Sequence, residues 1–411
     1  MNTHGSIIRD SELAGIGNQK IDWVAEHSPV LNLIARRYLS DGTFEGLTIG
    51  MTIPIGPKVS YLATVLQEAG ARVVVTSPSC SFVQDDAAAA LASRGVTVYG
   101  SSILPETEVE ANFARVLAHE PDVLMDDRAE FVRLVLTERR ELLGKVRGSS
   151  EQTTTGVTRL EKLQADGLLE FPAFAANAAK CKHMFDNRYG TGQSAISALL
   201  DVTNLYLGGK VVVVAGYGWV GRGVALRARG NMARVVVTER DPVHALEAFA
   251  DGFQVLRMDE AAEIGDVFIS CTGVHAVVNQ AHFPKMKDNT LLVNAGAVDT
   301  EVEVDQLAAM AVERFSPRAG VESFVMPDGR QLHLLGGGRV LNVAAGEGHP
   351  IEIMDMTYST QAMCMYYLTK NYGRLEPGLH YLPEELDDEI ARAAVDAYNL
   401  GLEEMDASVN R

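Results

Sequence analysis

The stretch Lys210–Gly221, KVVVVAGYGWVG, decides the fold of this chain. The apolar run from Val211 to Ala215 reads as a buried strand, the glycines as a G-x-G-x-x-G turn, and the residues after them as a helix. Each glycine is there for a mechanical reason. Gly216 permits the tight turn, Gly218 lets the backbone approach a pyrophosphate, and Gly221 lets helix and strand pack closely. The unpaired N–H groups of the first helical turn, at Trp219, Val220 and Gly221, then face the phosphates. Ala233 to Thr238 supplies the next strand, and Glu239 closes it where a ribose 2′-hydroxyl is read. The pattern predicts a bound dinucleotide. A carboxylate at Glu239 favours NAD, because it repels the extra phosphate of NADP, while Arg240 and Arg234 keep NADP as the alternative. Trp219 is placed either over the pyrophosphate or in surface packing.

Working outward, residues 46–130 alternate strand and helix: Leu47 to Ile53, a helix from Lys58 to Ala69, Arg72 to Thr76, a helix over Asp85 to Ser93, Val96 to Tyr99, and Val123 to Met125. A second alternating unit starts at Lys210 and continues through Val267 to Cys271 and Thr290 to Asn294. The fold class expected is α/β, with two doubly wound, Rossmann-like parallel-sheet domains. A helix over Ala179 to Leu205 is read as the bridge. Helices over Met354 to Thr369 and Glu384 to Leu402 are expected to return to the first unit, with Met354, Met356, Met363 and Met365 as core packing.

The 411 residues carry a formal net charge of −18, which disfavours nucleic acid and anionic membranes and leaves a small molecule as the expected ligand. Cys80, Cys181, Cys271 and Cys364 are scattered without a C-x-x-C pair, so neither a disulfide framework nor a metal site is expected. The N-terminus shows no basic head followed by an apolar core, and no uncharged apolar run reaches spanning length. A cytoplasmic location is the expectation.

Several separated segments resemble the adenosylhomocysteinase family. They are Gln152–Val157 (QTTTGV), Lys182–Gly190 (KHMFDNRYG), the glycine loop with Val235–Pro242 (VVVTERDP), Met258-Asp259-Glu260, Asn342, Gly348-His349-Pro350 and His380–Pro383 (HYLP). The resemblance implies a discontinuous substrate domain, residues 1–185 and 347–411, around a central NAD domain, 186–346. It also implies tightly kept NAD and a homo-oligomer, a dimer or tetramer. Its chemistry implies oxidation of a ribose 3′-hydroxyl, which acidifies the C4′ proton so that the 5′ substituent is eliminated; water then adds at C5′ and the ketone is reduced again.

Carried over by position, Asp127 matches a strand-end aspartate that contacts ribose. Lys182 and Asp186 match the lysine and aspartate assigned to proton transfer, and their i, i+4 spacing puts them on one helix face; spacing alone equally allows a solvated ion pair. Gln152, Asn177, Thr191 and His349 match substrate-site positions, His349 as a gate. Thr153, Thr154, Thr155, Asn187, Asn294 and Asn342 match cofactor contacts. The departures are as informative. Arg128-Ala129-Glu130 stands where the family has Gly-Gly-Asp, Gln152 replaces a glutamate, Thr191 a cysteine and Ala297 a histidine, while Pro54 and Lys58 fall where the substrate loop has histidine and glutamate. The chain also ends at Arg411 without the family's lysine-and-tyrosine tail, so looser cofactor binding is expected. Groups that oxidise and deprotonate the sugar are kept and those that handle water at C5′ are replaced. The leading expectation is therefore an NAD-dependent nucleoside dehydratase leaving an alkene. The alternatives are authentic S-adenosyl-L-homocysteine hydrolysis, a catalytically silent NAD-binding regulator, and a plain dehydrogenase releasing a keto-sugar.

Overall fold

A computed structural model describes residues 5–403. The chain divides into two compact units, one from residues 1–182 and 354–411 and the other from His183–Ile353. The residues after Glu403, which include the expected tail position, lie outside those described.

The first unit is built on a sheet of seven strands: β1 (Thr48–Thr52), β2 (Arg72–Thr76), β3 (Thr97–Tyr99), β4 (Val123–Asp126), β5 (Gly148–Glu151), β6 (Pro172–Ala175) and β15 (Gly378–His380), in the order β15-β6-β5-β4-β1-β2-β3. Every pairing is parallel. The strands are buried almost throughout, which their Val-, Ile- and Leu-rich runs require when helices cover both faces. Strand order reverses between β1 and β4, so their carboxyl ends splay apart and open a crevice there. The returning segment belongs to this unit by its bonding. Asp355 accepts from the N–H groups of Val30 and Leu31 at 2.8 and 2.7 Å, and β15 extends the sheet beside β6. The four methionines Met354, Met356, Met363 and Met365 are buried. The last helix stops at Ala397, short of Leu402, because Asn399 takes a left-handed φ of 52°.

The second unit carries β7 (Val211–Ala215), β8 (Arg234–Thr238), β9 (Gln254–Val255), β10 (Val267–Ser270), β11 (Thr290–Asn294), β12 (Glu313–Arg318), β13 (Val321–Val325) and β14 (Gln331–Leu335), ordered β12-β13-β14-β11-β10-β7-β8-β9. From β9 to β14 the sheet is parallel and winds in two directions from β7, as the glycine loop predicts. Val212 and Val214 join one apolar cluster and Val211 and Val213 another, so β7 is buried on both faces. The sheet is not parallel throughout: β12 and β13 run antiparallel at one edge. The cause is turn chemistry, with Gly329 at φ 89° after Asp328 and Gly320 at φ 77° closing two hairpins.

The segment read as one bridging helix is three. Lys180–Lys182 is a short α-helical turn, His183–Gly190 is a π-helix, and Thr191–Thr203 is α-helical and ends at a left-handed Asn204. No helix among the described residues is long and apolar enough to cross a membrane.

Candidate active site

In the second unit the carboxyl ends of β7, β8 and β10 enclose a groove of about 570 Å³, lined by Gly216, Gly218, Thr238–Asp241, His244, Leu256–Met258, Cys271, Thr272 and Val274–Val277. Gly216 sits at φ 95°, open to glycine and strained for other residues. A Cβ on Gly221 would lie 1.9 Å from the Gly216 carbonyl oxygen, so that position closes the turn against the helix. Nothing lies within 4 Å of where a Cβ of Gly218 would stand, which leaves room for a diphosphate against bare backbone. The helix Trp219–Gly230 has no side-chain cap, so its first N–H groups are available to an anion. Glu239 accepts from the N–H groups of Tyr217 (2.6 Å), Arg240 (2.6 Å) and Asp241 (3.0 Å), which fixes its carboxylate on the groove wall. These features fit NAD. Asn342, whose Nδ2 donates to Ser194 Oγ at 2.9 Å, has a buried Oδ1 with no partner, an acceptor suited to a carboxamide N–H.

Trp219 takes the second of its two expected placements, its ring packing 5.1 Å from His183 and 4.7 Å from the Arg222 guanidinium. Asn294 spends its amide internally. Its Nδ2 donates to the carbonyls of Val298 and Gly338, and its Oδ1 accepts from Gly296 N–H and Ser270 Oγ. Missed by sequence reasoning were the residues after β10, which the rule that ligands gather at carboxyl strand ends points to. Fully buried Glu301 holds them, accepting from Thr272 N–H and Oγ1 and Gly273 N–H at 2.7–2.9 Å.

The first unit gathers a second constellation at the carboxyl ends of β1, β4, β5 and β6. Every backbone N–H from Asp127 to Val132 donates to one of two fully buried carboxylates. Asp126 takes Asp127, Glu130, Phe131 and Val132; Glu151 takes Arg128 and Ala129. Burial raises both acids above the ordinary carboxylate range, and their neighbouring charges add to it; the N–H donors pull the other way. This cage presents Asp127, whose Oδ1 is buried without a hydrogen-bond partner. Burial pushes Asp127 up to about 6, against the pull of the Arg128 and Lys182 cations. Around it stand three more buried oxygens lacking partners: Thr52 Oγ1, Gln152 Oε1 and Asn177 Oδ1. Asn177 has already given its Nδ2 to Thr154 Oγ1 at 2.9 Å. Thr153 caps the helix Thr154–Ala165 and also bonds Glu151, so its hydroxyl is committed within this unit. Thr155 is half-buried on the same helix.

Lys182, buried, closes this unit, and Asp186, also buried, lies on the π-helix of the other. Asp186, Asn187, Thr191 and His349 fall in the second unit, where Asp186 Oδ1 is 3.1 Å from His349 Nδ1 and Thr191 Oγ1 is 3.1 Å from His349 Nε2. Among the described residues no cluster of His, Cys, Asp and Glu has the makings of a metal site.

A family model described as the NAD binding domain of S-adenosyl-L-homocysteine hydrolase matches residues 187–348, and one described as S-adenosyl-L-homocysteine hydrolase matches residues 6–142. The chain is 44% identical over 399 residues to the S-inosyl-L-homocysteine hydrolase of Methanopyrus kandleri, covering 97% of this chain and 94% of that one. It is equally similar, at 44% over 398 residues with the same coverage, to the adenosylhomocysteinase of Thermococcus kodakarensis. The adenosylhomocysteinase of Thermotoga maritima is 43% identical over 389 residues, 95% of this chain and 96% of that one.

Proposed function

Because the chain belongs to the S-adenosyl-L-homocysteine hydrolase family and has its NAD-binding domain, we propose that it acts on the sugar of a nucleoside-like substrate by oxidation, deprotonation, elimination and re-reduction, as a dehydratase. NAD held by Gly216, Gly218 and Glu239 would supply reversible hydride transfer at the sugar carbon that bears the 3′-type hydroxyl. The chain's own residues supply the rest. Asp186 and Lys182 move the proton of that hydroxyl and the proton at the neighbouring carbon, C4′ in a ribose. Asp127, ionised at neutral pH with a folded value of about 6, accepts a hydrogen bond from the sugar. Loss of the C4′ proton sends its electron pair into a new C=C bond and expels the 5′ oxygen, which leaves as water with one proton from the site. The net change is loss of H₂O, with no redox change in the product.

The observation that carries this reading is the set of buried oxygens without partners at the strand ends: Asp127 Oδ1, Gln152 Oε1, Asn177 Oδ1 and Thr52 Oγ1. Buried acceptors left unmet cost about 1–3 kcal/mol each, so the site calls for a donor-rich ligand, and a polyhydroxylated sugar meets it. An S-nucleosyl-homocysteine carries the same ribose hydroxyls, so these oxygens support the sugar and not the choice of leaving group. The resemblance puts Pro54 and Ala297, neither an imidazole, at positions where the family has histidine, which favours stopping at the alkene. The second reading, hydrolysis of an S-nucleosyl-homocysteine, is favoured by the identity of 43–44% to hydrolases over nearly the whole chain.

The test is NAD-loaded enzyme against a nucleoside panel, read by mass spectrometry, beside a condensation assay of homocysteine with adenosine or inosine. Loss of one water from a nucleoside supports the dehydratase; condensation product without dehydration overturns it in favour of the hydrolase. Lys182→Ala should lower turnover by roughly 10²- to 10⁴-fold, the contribution of a positioned acid or base, and leave NAD binding intact. Undiminished activity would remove Lys182 from the mechanism.

A further inference from the structure

We infer that His349 and Thr191 form a positioning chain for Asp186: Thr191 holds the His349 ring through Nε2, and His349 orients the carboxylate. This rests on the reading above in giving Asp186 a proton to move. The geometry is local to the second unit. His349 bridges Asp186 Oδ1 and Thr191 Oγ1 at 3.1 Å on each side. One imidazole reaches both because the backbone between them is π-helical, His183–Gly190. In an α-helix, residues five apart point roughly 140° away from each other. Hydrogen bonding from i to i+5 winds the chain so that they stack on one side. Single π turns occur often at functional sites for this kind of reason.

The ring also needs space. A Cβ at Gly190 would stand 3.1 Å from the ring atoms Cγ and Nδ1 of His349 and 2.9 Å from Ile353, so the last π residue is one with no side chain to spare. Thr191 and Asp186 are both buried, which keeps water from competing for the two bonds. A carboxylate accepts only, so Nδ1 is the donor to Asp186; in a neutral imidazole Nε2 is then an acceptor, and the Thr191 hydroxyl is the donor that meets it. A hydroxyl does this better than the thiol of the cysteine that the resemblance puts there. The consequence is a carboxylate with Oδ1 committed to the imidazole and its plane fixed. Thr191 and His349 are thus positioning residues that act through Asp186.

The experiment uses NAD-loaded protein with ¹⁵N-labelled histidine, the His349 signal being assigned by its loss in His349→Asn. The wild-type signal should report Nδ1–H with Nε2 shifted by the Thr191 hydroxyl, and Thr191→Val should remove that hydrogen-bond shift at Nε2 while Thr191→Ser preserves it. In single turnovers with the nucleoside that the panel identifies, Thr191→Val should slow nicotinamide reduction by about 10- to 100-fold, the usual effect of removing a partner that orients a functional group. Affinity for NAD should stay within about threefold, and Thr191→Ser should restore the rate. An Nε2–H signal in the wild type, or a Thr191→Val enzyme with unchanged Nε2 shift and rate, overturns the inference. A panel without any substrate fails the dehydratase reading alone, because the ¹⁵N measurement still decides the positioning chain.

Discussion

Replacing Arg128 by Gln should move the acidic limb of the activity profile upward, and its size follows from the geometry. Arg128 Nε stands 4.0 Å from Asp127 Oδ1, with the arginine side chain 27% exposed and the aspartate 8%. At that distance and an effective dielectric near 20, the attraction is about 4 kcal/mol, close to three pKa units as an upper bound. Partial exposure of the guanidinium screens it, so roughly one to two units is the working figure. With Asp127 at about 6 in the parent, about nine-tenths of it is ionised at pH 7. In Arg128→Gln the value rises to roughly 7–8, and half or less is ionised at that pH. The assay is kcat/KM against pH: the acidic limb should shift up by one to two units, with parent-like activity recovered at the alkaline end. Glutamine is shorter than arginine but makes the same demand on the backbone, so the main change at this position is the lost charge. A limb that stays in place, or a loss equal at every pH, would refute the electrostatic role of Arg128.

Asp127→Asn should stabilise the protein in base and not in acid. The folded value of Asp127, about 6, lies above its unfolded one, so the native state binds the proton more tightly and the resulting stability is fully present below about pH 4. It is lost as pH rises from about 4 to 6, after which the buried charge costs about 3 kcal/mol. Urea midpoints should therefore favour the Asn variant at pH 8 by about 2–3 kcal/mol and converge with the parent at pH 4; the same difference at both pH values counts against the burial argument. Gly218→Val should abolish NAD binding by calorimetry, because its side chain enters the open space against the groove, while thermal unfolding of the cofactor-free protein stays unchanged. A dissociation constant within about tenfold of the parent's, a loss of only ~1.4 kcal/mol, would show that the diphosphate does not lie on this turn.

What the sequence made legible is what short-range pattern encodes. The glycine loop and Glu239 sit within one βαβ unit, and both the groove and its acid are where that pattern puts them. The hairpin edge was also encoded, in Asp328-Gly329, but the turn signal was outweighed by the run of parallel units before it. The π-helix was not legible. KHMFDNRYG has the composition of an ordinary helix, and the i to i+5 bonding comes from what packs around it, so the pairing of Asp186 with Thr191 through His349, distant in sequence, stayed hidden. Asn294 matched a motif yet turned inward, because the loop after β11 needs its four hydrogen-bonding positions.

The loop that presents Asp127 holds two side-chain-bearing residues in a backbone conformation that favours glycine. Arg128 and Ala129 both sit in the left-handed region, at φ 64° and 55°, where glycine is at ease and other residues lose about 1–2 kcal/mol each. Against this stands the unbroken run of N–H groups from Asp127 to Val132 on Asp126 and Glu151, acids that burial pushes toward the neutral form, so each bond is worth about 0.5–1.5 kcal/mol. Together the six bonds offset the backbone cost. Backbone shape here is set by two acids rather than by glycine, so a side chain could be added at position 128 without moving Asp127. What Arg128 adds is a positive charge 4.0 Å from that aspartate, so the residue that looks most disruptive to the backbone acts instead on ionisation.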